Sequence, residues 1–109
     1  MDSEHQTAFE VIRVRSLLLE ALMHQFKRHQ LKEEERLNII EVGLKTSDVI
    51  EHIAQDALSN EYHADFLRQS LDTALHLLDK FAPLLQESGL HVPTKKEITQ
   101  LLNNLNVER

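Results

Sequence analysis

The sequence predicts an all-α domain, an antiparallel bundle of three long helices plus a short C-terminal helix, completed by dimerisation. Three observations carry that expectation. Apolar residues recur with a helical period along most of the chain, not with the alternation of strands. Only Gly43, Gly89, Pro83 and Pro93 punctuate it, far less than a sheet protein needs for its turns. The first helical segment is apolar around more than half its circumference, which exceeds the usual core-facing stripe.

Composition narrows the function classes. A chain of 109 residues has room for one domain, spanning 1–109. Its hydrophobic share of 41% and charged share of 28% are those of a globular protein and argue against disorder. The absence of cysteine excludes disulfides, thiol chemistry and thiolate metal sites. A formal net charge of −6 opposes binding to phosphate backbones, so no direct nucleic-acid partner is expected. No apolar run is long enough to span a membrane, and the charged opening residues do not resemble a signal peptide, so a cytoplasmic location is expected.

The elements follow in order. A first helix is expected over 4–29, with Ser3/Gln6 or Thr7/Glu10 as a capping box and Lys27, Arg28 and His29 at its negative pole. Its polar stripe is Glu10, Arg13, Glu20, His24 and Arg28. The stripe rotates around Gln30–Lys32, which predicts a break there. A second helix over 33–58 opens on Glu33, Glu34 and Glu35 and continues through Gly43, read as a packing notch beside the small residues Ser47 and Ala54. Ser59 or Asn60 then caps a third helix over 60–88, with a heptad seam of Leu67, Leu71, Ala74, Leu78, Phe81 and Leu85. Pro83 kinks it and Gly89 closes it. Thr94 and Glu97 form a capping box for a fourth helix over 95–106, whose apolar face is Ile98, Leu101, Leu102 and Leu105.

The apolar excess of the first helix points to a homodimer that buries it, with Leu18, Leu19, Leu22, Phe26 and Arg15 as interface residues. The competing expectation is a monomer in which the fourth helix and the Pro83 kink cover that excess. Arg15 lies within the apolar arc, so its guanidinium must snorkel or find a partner, and Glu51 is the candidate acid.

No catalytic, cofactor-binding or metal-ligating residue is assigned. Glu20–His24, Asp48–His52 and Asp72–His76 have metal-ligand spacing, yet all lie on solvent stripes where the same spacing merely stabilises helices. A phosphotransfer histidine lacks a neighbouring glycine for partner approach. The serines lie in helix or cap contexts with no nucleophile elbow. Residues Thr94–Leu105 resemble only the first half of a helix-turn-helix. The expected function is therefore a non-catalytic interaction protein (a regulator, adaptor, secretion chaperone or immunity-type factor), binding itself and an unidentified protein. The rival is a ligand- or metal-binding bundle with a sensing or enzymatic role.

Overall fold

The computed structural model describes residues 3–28 and 30–107. It contains five helices and, among the described residues, no strand: α1 (Ser3–Arg28), α2 (Glu33–Ser59), α3 (Ala64–Lys80), α4 (Ala82–Glu87) and α5 (Lys95–Val107). A capping role for the Ser3 side chain, the charges of Arg28 and His29, and the two residues after Val107 lie outside the described residues.

The break after α1 falls where the polar stripe rotates. Leu31 is buried and pins the connection to the core. Glu35 Oε1 accepts a bond of 3.0 Å from the Lys32 backbone N–H, which fixes the start of α2. At the far end of α2 the expectation fails, because Asn60 does not open the third helix. It closes the second, in the left-handed region at φ 55°, with its N–H bonded to the Ala57 carbonyl. The Glu61 N–H bonds to the Asp56 carbonyl at 3.0 Å, so the pair forms a Schellman motif with Asn60 in the usual place of glycine. After this turn His63 is extended, and α3 begins at Ala64.

The long helix expected over 60–88 is also divided. Its hydrogen bonds continue through Phe81, from the Phe81 N–H to Leu77 and from the Leu85 N–H to Phe81. Phe81 itself leaves helical geometry at φ −111°, and Pro83 takes a place in the first turn of α4, where a missing N–H is tolerated. Gly89 follows in the left-handed region at φ 69°. The capping box of α5 is half formed. Thr94 Oγ1 accepts from the Glu97 N–H, but the Glu97 carboxylate reaches Arg13 Nη2 of α1 at 2.9 Å.

α1 is the hub of the core, and α2, α3, α4 and α5 all pack on it. The monomer expectation thus covers much of its apolar circumference: α4 and α5 close the faces that two long helices leave open. Gln25, fully buried on α1, donates 2.7 Å to the Leu84 carbonyl and ties α4 in place. His5 bonds the Tyr62 hydroxyl, joining the start of α1 to the connection before α3. α2 packs chiefly on α1, through Ile39, Val42, Thr46, Val49 and Ile53.

Candidate interaction surface and polar clusters

Two rows of α2 repeat at heptad spacing. The first, Ile39 to Asp56, is buried. The second runs two positions ahead of it, about 200° around the helix and so on the opposite side. It consists of Leu37, Ile40, Leu44, Ser47, Glu51, Ala54 and Leu58, and every member is exposed. Leu37, Ile40 and Leu44 are 58%, 47% and 65% exposed. A helix that buries one seam and presents a second, largely apolar one is unusual for a chain whose contacts are complete.

α1 carries a row of its own. Phe9 and Met23 are exposed there, and Ile12, Leu19 and Phe26 are half-buried at the edge of the core. Gly43, between the two seams of α2, lies against this row, since a Cβ built on it would lie 3.6 Å from Leu19 Cδ1. The residue expected to be a notch does sit at a helix–helix approach.

The five expected interface residues separate. Leu18 and Leu22 have no exposed surface in the single chain, and Arg15 is 2% exposed. Leu19 and Phe26 alone keep surface that another molecule could touch. Leu37, Ile40, Leu44 and Leu58 are not among the expected interface residues, although their spacing is visible in the sequence. Glu51 and the small Ser47 and Ala54 interrupt the row and hide it.

Arg15 neither snorkels nor meets Glu51, which is exposed on the outward seam of α2. Its Nη1 donates to the Ser70 carbonyl of α3 at 3.3 Å, and its buried Nε has no partner among the described residues. Loss of water around the guanidinium lowers its pKa from the ordinary arginine value. The side chain lies on the wall of a cleft of about 300 Å³ between α2 and α3, together with Lys45, Asp48, His52, Gln69 and Thr73.

Histidine chemistry appears where the sequence did not place it. His52 pairs not with Asp48 but with Asp56, one turn later. His63, freed from α3 by the Asn60 turn, brings Nδ1 to 3.0 Å from the same carboxylate oxygen, Asp56 Oδ2. His52, Asp56 and His63 thereby offer three ligand atoms within 4.8 Å of one another. The His52 ring stacks on Phe66 with centroids 3.8 Å apart. The Asp56 carboxylate raises the His63 pKa above the usual imidazole value. Reading Asn60 as the end of α2 would have exposed this grouping, because residues 60–63 then turn back on the helix.

No helix among the described residues is long and apolar enough to cross a membrane. Comparison with protein-family models, with curated proteins and with solved structures gave no match.

Proposed function

We propose that this chain is a non-catalytic protein–protein interaction module that acts as a homodimer, and that the apolar face shared by α1 and α2 is the surface it uses. The outward heptad seam of α2 is the observation that carries the reading. Knobs at Leu37, Ile40 and Leu44 suit a facing helix, and the small Ser47 and Ala54 of the same seam allow close approach. Placed about a two-fold axis, two α1–α2 hairpins would complete a four-helix layer, with Leu19 and Phe26 at its rim. Burying the exposed part of one Leu44 contributes about 1–2 kcal/mol, and an isologous contact counts it twice. A regulator, adaptor, secretion chaperone or immunity-type factor would work through such a face, and its place in the cytoplasm belongs to the same proposal.

Sedimentation equilibrium across a concentration series tests this on the wild type, Leu37→Glu and Leu44→Glu. Both leucines are exposed, so the variants should keep their helical circular dichroism. The wild type is expected at twice the 12.7 kDa of one chain, and both variants at one. A wild type that stays monomeric at high micromolar concentration defeats the homodimer, and two dimeric variants move the interface off α2.

The ligand-binding rival rests on Arg15, a guanidinium on the wall of a cleft with a backbone carbonyl as its bonded partner. It requires an anionic ligand, and stabilisation of the wild type but not of Arg15→Met by inorganic phosphate or acetate, at constant ionic strength, would favour it.

A further inference from the structure

We propose that His52, Asp56 and His63 form a binding site for a first-row divalent transition-metal ion, zinc foremost, with the three side chains as ligands and a fourth position open. The site is independent of the interaction reading.

The geometry is close to what the ion needs. Zinc binds imidazole nitrogen and carboxylate oxygen at about 2.0–2.2 Å, so the ligand atoms of a tetrahedral site stand about 3.3 Å apart. Asp56 Oδ2 is 3.3 Å from His52 Nε2 and 3.0 Å from His63 Nδ1. The remaining edge is no longer than 4.8 Å. The His63 ring is exposed and meets the His52 ring edge-on at 5.8 Å, whereas the His52 ring is held in a stack on Phe66, so closing that edge falls to a rotation of His63. Two imidazoles and one carboxylate are a donor set suited to zinc, copper, nickel or iron(II), and less to the all-oxygen preferences of magnesium or calcium.

The electrostatics point the same way. Asp56 is a buried carboxylate in the last turn of α2, where the helix dipole disfavours negative charge. That turn contains no basic residue. The groups beside the carboxylate oxygen are the two imidazoles. His52 Nε2 is buried and lies 3.3 Å from Asp56 Oδ2, yet the two lack hydrogen-bond geometry. A buried nitrogen without a hydrogen-bond partner, held 3.3 Å from a carboxylate oxygen, is a group that a shared cation would satisfy. The ion would also clasp the last turns of α2 to the residue before α3, across the Asn60 corner.

The test is isothermal titration of the full metal-free chain with zinc chloride at pH 8, with cobalt(II) absorption as a second readout. The chain has seven histidines, so specificity is decided by substitution. We expect one zinc per chain at micromolar affinity or better, and a cobalt spectrum of tetrahedral intensity. Loss of an outer-shell partner costs about 10–100-fold in metal affinity, so loss of a ligand in His63→Gln should cost about 100-fold or more. His63 is exposed, and this variant should remain folded. Asp56→Asn and His52→Gln should behave likewise, whereas His76→Gln, further along α3, should bind as the wild type does. Zinc should raise the melting temperature of the wild type and leave that of His63→Gln unchanged. A wild type that binds no tighter than about 100 µM overturns the proposal. So does a His63→Gln chain that retains wild-type affinity, since the metal then sits on other histidines.

Discussion

Replacing Arg15 by methionine should stabilise this protein, although it removes a side chain that is almost wholly buried. On folding, the guanidinium gives up its water and receives one bond of 3.3 Å to the Ser70 carbonyl, and its Nε receives none from the described residues. The desolvation cost of a buried ion is several kcal/mol, and a hydrogen bond to a charged group returns about 1.5–3 kcal/mol. Methionine has a comparable length and flexibility and fills the same space beside the α2–α3 cleft without a charge. Removing the arginine also strands no acid, because Arg15 is not paired with one among the described residues. The balance favours Arg15→Met by about 1–3 kcal/mol. For a domain of this size that is roughly 4–12 °C in melting temperature. Urea unfolding followed by circular dichroism at 222 nm measures it, with the slope m compared to confirm that the unfolded states are alike. A variant less stable than the wild type by 1 kcal/mol or more would refute the reasoning. The guanidinium would then have a partner in solution that the chain does not itself supply.

Three further substitutions probe the fold. Gly43→Ala should stabilise by up to about 1 kcal/mol in thermal melts, because the added methyl meets Leu19 at ordinary contact distance and removes a mid-helix glycine; destabilisation would mean that α1 and α2 are closer than described. Thr94→Ala should cost about 0.5–2 kcal/mol through the lost bond to the Glu97 N–H, read by chemical denaturation. Ile98→Ala should cost about 2–5 kcal/mol, since Ile98 is fully buried where α5 packs on α1 and α3. An Ile98 cost below 1 kcal/mol would show that α5 is not docked in solution.

The sequence made the helices legible where one physical rule decided the outcome. Periodicity placed α1, α2 and α5 within a residue or two of their observed ends, and Thr94 marked the start of α5 correctly. It misled where one residue type serves two roles. Asn60 is a good N-cap and an equally good left-handed C′ residue, and only the path of the chain selects between them. That single choice hid residues 60–63 as a turn, and with it the approach of His63 to Asp56. Arg15 and Glu51 both lie on apolar arcs, so pairing them was reasonable, but a helix wheel does not say which side of α2 turns inward. The side carrying Ile39 and Ile53 does, and Glu51 is left with Leu44 on the other. Coverage of α1 by α4 and α5 was equally hidden, because it depends on the bend at Phe81 and the return of the chain through Pro93.

The central position of α1 sets a problem for the chain while it is being made. α1 is synthesised before every helix that covers it, and α5, which carries Ile98 to the core, is finished last. At about 5–20 residues per second, roughly 4–16 s separate completion of α1 from completion of α5. Throughout that interval a helix apolar on most sides has no finished core to enter. The α1–α2 pair can form early, since it needs only the short connection through Leu31, but it still lacks α3, α4 and α5 on its other side. Nascent chains of this protein therefore present more sticky surface than the finished molecule does. Truncations that remove α5 should appear in the insoluble fraction of an expressing cell rather than as smaller soluble bundles.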